Sequence, residues 1–250
     1  MRLSLRRAGL PEDGAAIIER HVAAWHVLGP DERARLLAIT DLLLSRKRWE
    51  ASRGFALDDT VRVVIAAQAA LLVLNLDAHH YRLVSAIVVH PTTVQVSGER
   101  AGPIPGTVDA GRQAVLGLAQ DGRGPVVLAW DEALAGAHRA VPGHNVVLHE
   151  FAHKLDMVDG TVDGTPVLPP ALLRDWQRAC TEVYEDLVAG RPRPPMRWYG
   201  ATNPGEFFAV ATEVFFDQPR EMGLEEPRLY DVLSSFYRQD PASRERAAAA

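Results

Sequence analysis

The sequence predicts an α+β fold, mostly helical with a small central β-sheet. Apolar residues recur at helical spacing toward both ends of the chain, while β-branched runs cluster in its middle. Glycine- and proline-rich breaks such as DGRG (121–124) and RPRPP (191–195) separate these runs. At 250 residues the chain can bury a substantial core, and it reads as one unit over 1–250. Within it, 1–77 forms an N-terminal helical part, 78–241 a core that carries the chemistry, and 242–250, containing the final run of alanines, a disordered tail.

Taken in order, Asp31–Arg48 has helical spacing with an acidic first turn and a basic last turn, as the helix dipole favours. Val61–Leu76 reads as a second helix, enclosed on most sides. Tyr81–Val96 (YRLVSAIVVHPTTVQV) reads as strand, break, strand, and GPVVLAW (Gly124–Trp130) contains another short buried strand. Helices follow over Asn145–Met157, Leu172–Val188, about Pro204–Phe216 and about Pro227–Gln239.

Composition removes several classes of function. A net charge of −5 lacks the basic footprint of a nucleic-acid binder. One cysteine, Cys180, rules out an intramolecular disulfide and a cysteine-rich metal site, so any metal must be held by His, Asp or Glu. The most apolar run, Val61–Leu76, has 16 residues and contains an arginine and a glutamine, short of the roughly 20 apolar residues a membrane span needs. The N-terminus lacks the apolar stretch of a signal peptide, and a soluble cytoplasmic protein is the default expectation.

The segment VVLHEFAHKLDMVDG (Val146–Gly160) concentrates the chemistry. Residues four apart share a helix face, so His149 and His153 can direct both imidazoles at one point. Such a pair supplies two nitrogen ligands to zinc, and a catalytic zinc takes a third protein ligand and keeps one position open for water. Glu150, beside the first histidine, is placed to accept that water's proton. Asp156, three residues beyond His153, is placed to orient a histidine by accepting its second ring proton. The competing reading is an ordinary amphipathic helix that contains two histidines. Two histidines and a glutamate on a core helix would then carry an uncompensated desolvation cost.

The third ligand discriminates between site types. No further histidine follows in KLDMVDG, which excludes the pattern in which the third ligand extends the same motif. The other pattern takes a glutamate from a second helix, and NPGEFFAVATEVFF (Asn203–Phe216) offers Glu206 and Glu213 on one helical face. Glu206 is the expected ligand; Glu213 is expected behind it, supporting the site or packing the helix. The alternative is that both carboxylates make only salt bridges.

HEFAHKLDMVDG, GEFFAVATEVFF and the terminal FYRQDP together resemble the Mlc titration factor A family of bacterial zinc peptidases. The likeness extends over about 30–241, and the metal-binding core is also similar to that of anthrax lethal factor. The resemblance implies a zincin-like metallopeptidase core and one zinc ion per chain. His149, His153 and Glu206 would be its ligands, and Glu150 the general base. It also implies that Tyr199, seven residues before Glu206, donates a hydrogen bond to the developing oxyanion, and it marks Asp109 as a possible additional metal contact. The substrate so implied is a short peptide.

The same resemblance implies a reading of a different class: a regulatory protein that sequesters a transcriptional repressor of sugar-uptake genes. EEPRLYDVLSSFYRQD (Glu225–Asp240) would then be partner surface rather than a helix packed on the core. A third reading, structural zinc, fits less well, because structural sites close all four positions, usually with cysteine. His79, His80, His90, His138 and His144 are expected to be structural or exposed.

Overall fold

Asp58 starts the buried N-terminal helix by accepting the Val61 N–H at 2.9 Å, and the apolar run that follows is helical over Asp59–Leu72. Its residues from Val63 to Ala70 are all buried, including the polar Gln68. The computed structural model describes residues 9–52, 54–92 and 124–248. In chain order these form α1 (Gly14–His21), α2 (Pro30–Arg46), β1 (Arg48–Ala51), α3 (Asp59–Leu72), β2 (Val84–His90) and β3 (Gly124–Ala129). They continue as α4 (Trp130–Ala137), α5 (Val146–Asp156), α6 (Pro170–Val188), α7 (Pro204–Asp217), α8 (Pro219–Glu225), α9 (Pro227–Tyr237) and α10 (Pro241–Ala248).

The result is the expected α+β class, mostly helical around a small sheet. The sheet has the order β1-β2-β3 and both pairings are parallel, with Arg48 opposite Ala86 and Val88 opposite Val127. Parallel strands cannot be joined by a tight turn, and α3 makes the crossover from β1 to β2. The short strand β1 departs from expectation, since Arg48 read as the end of a helix. RWEA has no burial periodicity of its own and becomes a strand because β2 supplies its hydrogen-bond ladder.

Tyr81 also differs, closing a short 3₁₀ turn (Ala78–Tyr81), so the strand begins at Val84. The second strand expected within Tyr81–Val96 falls outside the described residues. At the C-terminus a helix occupies 241–248 where the alanine-rich sequence suggests a frayed tail. Its first turn is anchored: Pro241 and Ala242 are buried, and Arg244 pairs with Glu32. Among the described residues no helix is long and apolar enough to cross a membrane.

The helices that matter for the site are α5 and α7, which pack on each other in the core. Phe151, Ala152 and Leu155 of α5 are at most 1% exposed, and every residue of α7 from Gly205 to Phe216 is buried. The C-terminal segment Glu225–Asp240 is largely α9, whose Leu229, Leu233, Phe236 and Tyr237 are buried in that core.

Candidate metal centre

Two helix caps aim the site. Asn145 Oδ1 accepts the N–H groups of Val147 and Leu148, each at 3.1 Å, which fixes the start of α5 one turn before His149. Gly136 leaves room for this cap, because a Cβ there would stand 2.9 Å from Asn145 Cγ. Asn203 Oδ1 accepts the Glu206 N–H at 2.9 Å and Pro204 occupies the first helical position, so α7 begins with Glu206 in its first turn.

With both helices so started, His149, His153 and Glu206 converge. His149 Nε2 lies 3.2 Å from His153 Nε2 and 3.0 Å from Glu206 Oε2, and His153 Nε2 lies 3.6 Å from the same oxygen. All three side chains are buried. Glu206 Oε2, although this close to two ring nitrogens, has no hydrogen bond of acceptable direction. An unsatisfied carboxylate oxygen in the core is costly, unless the groups aim at a common point rather than at each other. Ligands about 2.0–2.2 Å from a tetrahedral ion sit roughly 3.3–3.6 Å apart, close to these separations. The three residues therefore form a group able to hold a metal ion, with the nitrogen and oxygen donors zinc accepts.

Electrostatics agree. Burial works against the charged form of His149, but the adjacent Glu206 and Glu213 carboxylates, with the charge of Glu150, outweigh it and raise the imidazole to about 9. Burial pushes the Glu206 carboxyl up, and the two imidazoles more than reverse this, holding it well below the usual range. The site thus stabilises positive charge at its centre. Burial lowers the neighbouring Lys154 ammonium, and Glu150 opposes that shift.

Glu213 stands directly behind the site. Its Oε1 accepts from His149 Nδ1 at 2.8 Å, its Oε2 accepts the Asn145 backbone N–H at 2.5 Å, and Arg197 donates to Oε1 as well. An ionised carboxylate can only accept, so His149 carries a hydrogen on Nδ1, and Nε2 is the ring nitrogen turned toward Glu206 and His153. Tyr199 lies beside the site, with its ring centroid 6.0 Å from that of His149.

Asp156 takes a different partner from the one expected. Its Oδ2 accepts the Gly164 N–H at 2.9 Å, while its Oδ1 and His153 Nδ1 have no hydrogen-bond partner. As the last residue of α5, its side chain serves the following loop, and burial pushes its carboxyl up to about 7 against the pull of Gly164. That loop folds back on α7: Gly164 has φ +76°, and a Cβ there would meet the Pro204 carbonyl oxygen at 2.3 Å. Asp109 lies outside the described residues. Of the other histidines, His79 is exposed, His80 bonds the Asp77 carbonyl, His138 stacks on His21, and His144 Nδ1 lies 3.9 Å from Glu213.

Three supporting residues escape sequence reasoning. Gln68 crosses from α3 to accept from Asn145 Nδ2 at 3.0 Å, and its own amide donates to the carbonyls of Val64 and Ala133. A lone glutamine within the apolar stretch Val63–Leu72 was the available signal, since a buried amide must find partners. Asn145 was visible as a polar residue just before an apolar helix. Arg197 carries no sequence signal beyond lying two residues before Tyr199.

The fold and site define a helix-rich α+β protein whose core holds a His–His–Glu group suited to a metal ion. Known proteins agree: residues 1–238 match the glucose-regulated metallo-peptidase M90 family, and the chain belongs to that family. It is 36% identical over 236 residues to the uncharacterized protein slr2042 of Synechocystis sp., covering 93% of this chain and 86% of the relative. It is 32% identical over 229 residues to Mlc titration factor A of Salmonella agona, covering 89% of this chain and 85% of that protein. The Salmonella typhi protein of the same name is 31% identical over the same length.

Proposed function

We propose that this protein is a zinc-dependent metallopeptidase that hydrolyses peptide bonds, most naturally in short peptides, with water as nucleophile. The convergence of His149, His153 and Glu206, with the Glu206 Oε2 atom buried and unsatisfied, carries the reading. Zinc held by these three residues would act as a Lewis acid and lower the pKa of water in its open position. Glu150, next to His149 on the helix, accepts the proton of the attacking water and passes it to the leaving amine. Tyr199 directs its phenol at the oxyanion that develops on the scissile carbonyl, which its place against the His149 ring supports. Glu213 fixes the tautomer and orientation of His149 throughout.

The test compares peptide hydrolysis by wild type and Glu150→Gln, with zinc content measured in both. Loss of turnover at full zinc occupancy is expected, and undiminished turnover would remove Glu150 from the mechanism.

A second reading has one observation in its favour: relatives at 31–32% identity carry the name Mlc titration factor A. On that reading the protein sequesters a transcriptional repressor. Glu225–Asp240 offers that partner little apolar surface, because α9 turns its large side chains into the core. Repressor capture that persists in His149→Ala would favour it.

A further inference from the structure

Glu213 is 1% exposed at its side chain and accepts three hydrogen bonds, one of which comes from a guanidinium that the expected ligand set does not include. Arg197 Nη2 donates to the same Oε1 atom that receives His149 Nδ1. Arg197 is also the residue from which the 3₁₀ turn Trp198–Ala201 springs, and its carbonyl accepts the Gly200 N–H at 3.0 Å. That turn carries Tyr199. One side chain therefore touches the carboxylate that orients a metal ligand, while its backbone sets the turn that presents the phenol.

We propose that Arg197 is a positioning residue that locks Glu213 behind His149 and, through the same contact, registers Tyr199 against the metal centre. The proposal rests on the metallopeptidase reading of the site. Its physical basis is charge. The His149 ring offers Glu213 a single N–H, and the buried carboxylate takes its direct charged partner from Arg197. Arg197 places a guanidinium charge directly on Oε1. Without that direct partner the Glu213 carboxylate would be free to turn away, and the His149 ring would lose its fixed acceptor. His144, 3.9 Å from Glu213 and 42% exposed at its side chain, is too distant and too hydrated to replace it.

The same contact joins the turn to α7. Glu213 belongs to α7, two turns beyond Glu206, so the Arg197 contact ties the segment before α7 to the body of the helix that carries the third ligand. Displacement of the turn would shift the phenol relative to both His149 and Glu206.

The experiment measures zinc affinity by chelator competition in wild type, Arg197→Met and Arg197→Lys, with the absorption spectrum of the cobalt-substituted proteins beside it. The expected result is about a tenfold or larger loss of zinc affinity in Arg197→Met, a changed cobalt spectrum, and partial recovery in Arg197→Lys. Turnover should fall further than metal loss explains, and Tyr199→Phe should cost less in the Arg197→Met background than in wild type. Unchanged zinc affinity and an additive Tyr199→Phe effect would overturn the proposal. If Arg197→Met does not fold, the neutral and polar Arg197→Gln decides instead, because zinc affinity and a cobalt spectrum equal to wild type in that variant would overturn the proposal equally. A wild-type protein that takes up no zinc would instead sink the metallopeptidase reading itself.

Discussion

His149 and Glu213 are 64 residues apart in the chain, and their side chains meet at 2.8 Å in the core. This contact decides which ring nitrogen of His149 faces Glu206. Glu213→Gln retains the size of the side chain but loses the charge that holds the ring and pairs with Arg197. Zinc affinity is expected to fall about tenfold, read by competition with a chromophoric chelator.

Metal removal provides a second measurement. A ligand that binds only the folded state stabilises it by RT ln(1 + [L]/Kd), about 2.7 kcal/mol at a hundredfold excess over Kd. Chelation should therefore lower Tm by several degrees in the wild type. His149→Ala and Glu206→Ala, which dismantle the proposed ligand set, should show the same Tm with and without chelator. A wild-type Tm that does not respond to chelator would count against a tightly held ion.

Asp217, at the end of α7, predicts a pH effect away from the candidate metal centre. Burial pushes its carboxyl up to about 7, against the pull of Arg139, whose Nε lies 3.6 Å away. A carboxyl with a raised folded-state pKa binds its proton more readily in the folded chain than in the unfolded one. It therefore withdraws stability as pH rises from about 4 to about 7, and the full cost is present above that window. Asp217→Asn should stabilise the protein by about 1–2 kcal/mol at pH 8. The gain should shrink toward pH 4–5, as measured by denaturant unfolding across that range. A difference that grows on acidification would reverse the sign and disprove the account.

Asn145 joins the start of α5 to Gln68 through its side chain and to Glu213 through its backbone. Asn145→Ala removes the cap and strands the Gln68 carbonyl, while the backbone bond to Glu213 is retained. The expected cost is about 1–2 kcal/mol, read as a lower denaturant midpoint. Zinc affinity should change far less than in Glu213→Gln.

Much of the candidate site was legible because it is built on local periodicity. The spacing of His149 and His153 fixes a shared face on any helix, and Asn203-Pro204 marks a helix start, so Glu206 and Glu213 fall where a regular helix puts them. The helices Pro170–Val188 and Pro227–Tyr237 were readable for the same reason. Failures occurred where a partner distant in sequence made the decision. RWEA is a strand only because β2 lies beside it, and residues 241–248 hold their helix with a buried first turn and the Arg244–Glu32 pair.

By itself the sequence determined which side chains share a helix face and where those helices begin, because both follow from backbone geometry and capping chemistry within a few residues. Only the tertiary structure decided that α5 and α7 pack with His149, His153 and Glu206 meeting, and that Glu213 rather than Asp156 bonds a histidine ring. It alone brought Arg197 to that carboxylate. The packing of one helix on another depends on the whole core around them, and no local pattern encodes it.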